Sequence, residues 1–219
     1  MMGVMSAQAP APTFEFVGGH MALDLLNTVE WRLDPGQRTD DLTAYPHVLA
    51  WAEQAALITG QERTTLDRLA RFAPRQAEQE LEAFRVLREA AYAALVERDS
   101  AAVDQLVAAH REVLDRSRLA YTEDHHWHWT EAELALTTPR DRATRAVVDL
   151  LTSPEVAALH QCEDAACGWV YLDTSPRRNR RWCVAADCGN RNRARAFYAR
   201  QKASRNPAGP PPGVAPGWH

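Results

Sequence analysis

The 219-residue chain has no apolar run near the roughly 18 residues that span a bilayer, so no transmembrane helix is expected. Its first twelve residues, Met1 to Pro12, lack the basic and apolar stretches of a secretory signal. That absence points to a cytoplasmic protein whose thiols stay reduced. No glycine-rich phosphate loop, no nucleophile beside a base and no paired carboxylates stand out, so enzymatic activity is not expected. At 46% hydrophobic and 25% charged residues, the chain is neither disordered nor collagen-like. Its length suits one large domain, or one medium domain with a small module.

Cysteine is scarce, and its placement is uneven. All four, Cys162, Cys167, Cys183 and Cys188, lie within 27 positions in the pattern C-x4-C-x15-C-x4-C. Two close pairs separated by one excursion are the ligand pattern of a structural zinc site. Each pair forms a turn that aims two sulfurs at one point, and the segment between must go out and return. Gly168 to Leu172 is β-prone, Thr174-Ser175-Pro176 is turn-prone, and Arg181-Trp182 leads back. A zinc-bound hairpin followed by a basic helix from Arg191 to about Lys202 is therefore expected, in a treble-clef-like arrangement. Four thiolates close the coordination shell, so one zinc ion per chain would be structural. A module of about 45 residues has too little core to fold without it, whereas the preceding domain is expected to stand alone. His160, two residues before Cys162, is an alternative ligand that this reading does not use.

The net charge of −4 is also unevenly spread. Between Cys162 and Arg205 there are ten Lys or Arg and four acids, so this stretch carries +6 and the rest −10. An acidic body with one basic module points to a polyanionic partner at that end alone. The candidate contacts are Arg177, Arg178, Arg180 and Arg181 on the hairpin and Arg191, Arg193, Arg195, Arg200 and Lys202 on the helix. Arginine's planar fork suits phosphate and guanine edges. Ala194, Phe197 and Tyr198 are expected to pack the helix onto the hairpin. Double-stranded DNA fits such a surface; structured RNA and an acidic protein surface remain alternatives.

The first 160 residues read as mostly helical. Thr13 to Val17 alternates like a strand, and Gly18-Gly19 breaks it. Met21, Leu25 and Val29 recur every four residues, which predicts a helix over 20–31. Further helices are expected over about 45–57 (closed by Gly60), 61–72, 74–97 and 101–114. Residues 118–130 read as two strands turning at Glu123-Asp124, with Trp127 and Trp129 on one face and His126 and His128 on the other. Thr138 to Asp141 resembles a capping box and opens a helix to Thr152, after which a short helical turn leads to Cys162. The last 14 residues hold five Pro and three Gly and predict a disordered tail.

Cys188-Gly189-Asn190-Arg191, with Trp169, Asp173, Arg181-Trp182 and Tyr198, resembles the CGNR zinc-finger family. Gly19 to Thr28 resembles the opening of the ABATE-type domain that precedes this finger. The resemblance implies zinc on the four cysteines, DNA as partner, and a bacterial, stress-related transcription regulator.

The expected fold is thus α+β: a flexible stretch 1–12, a mainly helical regulatory domain 13–160 with a small β component, the finger 161–205 and the tail 206–219. The helical domain would sense a small-molecule effector or form a homodimer. His20, Asp24 and Asn27, at i, i+4 and i+7, are candidates for an effector pocket. Helix capping and buried hydrogen bonding are the other reading of the same three residues. His125, His126 and His128 are read as a polar strand edge.

Overall fold

A computed structural model describes residues 13–121, 123 and 125–205. The stretches 1–12 and 206–219, expected to be flexible and disordered, lie outside the described residues, as does Asp124 of the expected strand turn. The described residues are mainly helical with three two-stranded antiparallel ribbons. Among the described residues no helix is long and apolar enough to cross a membrane.

Helix α1 (Met21–Leu26) is followed by strands β1 (Val29–Glu30) and β2 (Thr39–Asp40), then α2 (Tyr45–Gln54), α3 (Gly60–Phe72) and α4 (Pro74–Tyr92). After α5 (Ser100–Asp115) come β3 (Ser117–Tyr121), β4 (Trp127–Glu131) and α6 (Thr138–Thr152). Strands β5 (Leu159–Gln161) and β6 (Val170–Leu172) and helix α7 (Asn190–Arg205) complete the order. Start signals explain several boundaries. Thr59 and Glu62 form a reciprocal capping box at α3, and Asp99 caps α5 by accepting from the Ala101 N–H. Pro46 and Pro74 sit in first turns, where a missing N–H costs little.

Trp51 and Phe84 meet edge to face at 5.5 Å in the main core, with Leu23, Leu25, Leu66, Leu106, Val147 and Leu150 around them. Val170 and Leu172 of β6 belong to the same core. The finger strand therefore completes the helical body, and a boundary at 160/161 cuts through shared packing. Buried Arg88 on α4 closes the other side: its two Nη atoms reach the Asp40 carboxylate at 2.8 and 2.7 Å, and Nη1 also reaches Thr28 Oγ1 at 3.1 Å.

Several sequence expectations give way. The helix expected over 20–31 ends at Leu26, because Asn27 turns to bond β6 and Val29-Glu30 pairs with Thr39-Asp40. Thr13 to Val17 forms no strand; the Gln54 side chain bonds both the N–H and C=O of Phe14. Gly60 opens α3 rather than closing α2, and Ala56 takes the left-handed turn at φ 56°. The capping box at Thr138 does not form: Thr138 Oγ1 accepts from the Ala135 N–H, and Asp141 pairs with Arg116. The tryptophan hairpin forms as expected, with Leu119 opposite Trp129 and Tyr121 opposite Trp127.

Asn27 bonds both backbone groups of Val170, its Nδ2 donating to the carbonyl at 2.9 Å and its Oδ1 accepting from the N–H at 2.8 Å. Asn27→Ala leaves two buried polar groups unpaired and should cost about 2–4 kcal/mol. Urea unfolding of the two proteins, compared at equal slope, checks this.

Candidate metal centre and basic face

The first cysteine pair sits on the turn between β5 and β6. Gln161 pairs with Val170, and the Cys162 N–H donates to the Trp169 carbonyl at 2.8 Å. Asp164 shapes the turn: its side chain accepts from the Ala166 N–H and its carbonyl from the Cys167 N–H. Gly168 then adopts φ 76°, and a Cβ there would lie 2.8 Å from Arg32 Cβ. Only glycine fits this approach of the turn to the helical body. Of the second pair, Cys183 precedes and Cys188 lies within the helical turn Ala185–Gly189 just before α7, where Gly189 packs against Trp182.

The hairpin thus differs from the one expected between the two pairs. The partner of β6 is β5, upstream of Cys162, and Arg181-Trp182 is not a strand. The return path is held instead by the Glu163 N–H on the Arg181 carbonyl and by the Tyr171 hydroxyl on the Arg180 carbonyl. Knuckle, hairpin, second knuckle and helix all remain.

The four Sγ atoms lie within 4.8 Å of one another, and all four residues are buried. Cys167 and Cys183 are 3.6 Å apart at sulfur, and Cys183 and Cys188 are 3.5 Å apart. Sulfurs about 2.3 Å from one tetrahedral metal would sit about 3.8 Å apart, so the cluster is positioned to bind a metal ion. Hydrogen bonds from Cys167 and Cys183 hold the Cys162 thiol well below its ordinary range, while burial pushes Cys188 up to about 11. Binding a metal displaces thiol protons, because the ligand form of cysteine is the thiolate. His160 is not part of the group; it is exposed and stacks on Tyr171.

The basic residues divide into two sets. Arg191 is committed to the metal centre: Nε donates to buried Asp164 at 2.9 Å, Nη1 to Asp187 at 2.9 Å and Nη2 to Cys188 Sγ at 2.9 Å. Its guanidinium also lies over the Trp31 ring at 4.3 Å. Burial works against the charge on Asp164, yet the Ala166 N–H, Arg191 and Arg195 hold its carboxyl below the usual range. Arg180 is committed too, bonding the carbonyls of Val17, Trp182 and Cys183 and covering Tyr171. Arg181 pairs with Glu163, and Arg193 bonds Asn190 and the Ala185 carbonyl while staying exposed. Arg177, Arg178, Arg200 and Lys202 are exposed with no side-chain partner among the described residues, and Arg195 is half exposed beside Asp164.

Phe197 and Tyr198 do not pack the helix onto the hairpin. They are 51% and 67% exposed, and α7 leaves the finger after its first turns.

The residues proposed for an effector pocket are each engaged within the chain. His20 caps α1 through Nδ1, Asp24 accepts from the Gly18 N–H at 2.7 Å, and Asn27 holds Val170. Burial raises the Asp24 carboxyl to about 6. The patterns visible in the sequence did not reveal a crevice of about 120 Å³ that reaches Cys167, Cys183 and Cys188 and is lined by Glu15, Glu30 and Trp31. Those residues come from segments distant in sequence, so no local spacing signals them.

Because Arg191 touches a sulfur and orders Asp164, Arg191→Ala should lower metal affinity about 10–100-fold, as loss of outer-shell partners does. Competition with a chromogenic chelator, read beside the unchanged helical signal, measures it.

Comparison with known families agrees with this geometry. No curated protein matches the chain. A family model described as "putative stress-induced transcription regulator", ABATE, matches residues 19–154, and one described as CGNR zinc finger matches residues 159–201. With these two matches in that order, the chain belongs to the ABATE family and carries a CGNR zinc finger after its helical body.

Proposed function

We propose that the protein is a zinc-dependent, DNA-binding transcriptional regulator of the cytoplasm, with structural zinc and no catalytic role. The observation that carries this reading is α7. It starts one residue after the last zinc-ligand turn, and beyond that turn it exposes Arg193, Arg195, Arg200 and Lys202 on a chain whose remainder is acidic. A rigid metal core that aims a solvent-exposed basic helix suits a groove-binding element. Arg177 and Arg178, on the loop after β6, would add phosphate contacts that set register. The helical body would supply dimerisation or response to an effector.

Zinc is the metal expected for four thiolates in a closed tetrahedron. Freshly purified protein should hold one zinc per chain by elemental analysis. Because β6 packs in the main core, its removal by a chelator should lower the melting temperature of the helical body as well as of the finger. A helical body that melts unchanged would show the two parts to be independent.

Duplex affinity should fall steeply with salt. About five phosphate contacts give a slope of about −4 to −5 in log K against log salt, and Arg178→Ala should flatten it by about one unit. A slope near zero, or tighter binding to structured RNA at the same salt, would overturn the DNA reading.

A further inference from the structure

Helix α7 carries an aromatic stripe between two basic rails. At about 100° per residue, Ala194, Phe197, Tyr198 and Gln201 share one face of the helix. Arg193 and Arg200 lie about 100° to one side of its midline, and Arg195 and Lys202 about 100° to the other. All eight side chains are exposed, and the Phe197 and Tyr198 rings meet edge to face at 5.7 Å. The two adjacent rings form an apolar strip open to a partner.

The charge pattern selects the partner. A second copy of α7 laid on this stripe would set basic rail against basic rail. A membrane surface offers one plane of charge, not two rails with the Ala194, Phe197, Tyr198 and Gln201 floor between them; Arg205 joins that floor only at the end of α7. A duplex groove offers two phosphate strands with flat base edges between them. The major groove is about 12 Å wide, the diameter of a helix with its side chains.

We propose that Phe197 and Tyr198 contact base edges in the major groove and favour thymine through its C5-methyl group, while the two rails hold the phosphate strands. The proposal rests on the DNA-binding reading above and gives it a base preference. The methyl is the one apolar group that a base pair presents in that groove, and aromatic contact with it is an established recognition mode. Arginine on the rails would contribute affinity but little choice of base.

The test uses the full-length, zinc-loaded chain and a duplex that it selects from a random library. Each thymine of that duplex is replaced in turn by deoxyuridine, which removes only the methyl. One or more replacements should weaken wild-type binding about fourfold, the value of one buried methyl. Phe197→Ala or Tyr198→Ala should bind the two duplexes equally and keep the wild-type salt slope and zinc content. Arg200→Ala should do the reverse, flattening the slope and keeping the thymine preference. A selected site that tolerates deoxyuridine at every position overturns the proposal, as do aromatic variants that retain the preference, and either result leaves DNA binding standing. Failure to select any duplex, or selection of RNA instead, overturns both readings.

Discussion

The architecture depends on the double hydrogen bond between Asn27 and Val170. Among the described residues β6 pairs with one strand, β5, and its Val170 and Leu172 side chains join the helical core. Without the Asn27 amide, the two buried backbone groups of Val170 on the far edge would go unpaired, and each such group costs about 1–3 kcal/mol. Around this point the body and the finger exchange further bonds. The Leu172 N–H donates to Gly18, Trp169 Nε1 donates to Val29, and the Arg32 N–H donates to Cys167. The last of these ties a metal-ligand residue to the loop after β1, so the position of the sulfurs and the path of the body are set together.

Arginine serves two purposes here, which composition alone cannot separate. Arg191 and Arg180 spend their guanidiniums on carboxylates, carbonyls, a sulfur and an aromatic face of the finger, and on Trp31 and the Val17 carbonyl of the body. Arg88 and Arg142 do the same in the body, the latter joining Glu62 of α3 to Glu131 of β4. A fixed, buried guanidinium has little left to offer a ligand. Further along α7, Arg200 and Lys202 are exposed with no side-chain partner among the described residues, so their charges remain available to a partner.

The cysteine frame was legible because metal ligation needs four donors at one point and leaves a short, regular spacing. The long helices were legible for a similar reason: α4 carries Leu81, Phe84, Leu87 and Ala91 on one buried face. What could not be read were features decided by distant residues. The early end of α1 is imposed by a strand 143 positions away. The true partner of β6 lies upstream of the first cysteine, where three residues carry no strand signal of their own. Phe197 and Tyr198 looked like packing residues because aromatic side chains at helical spacing usually are, and only the direction of α7 shows that they stay exposed among the described residues.

The sharing of β6 has a consequence for biosynthesis. The helical body is made first, yet two of its core side chains, Val170 and Leu172, come from the metal module. A nascent chain that has just emerged through α6 has Asn27, the Gly18 carbonyl and the Val29 carbonyl without the partners they meet in the finished fold. The body's core is thus incomplete until the cysteine-bearing segment leaves the ribosome. A message truncated between the two family-matched segments would yield a product with an open core, a ready substrate for quality-control proteases.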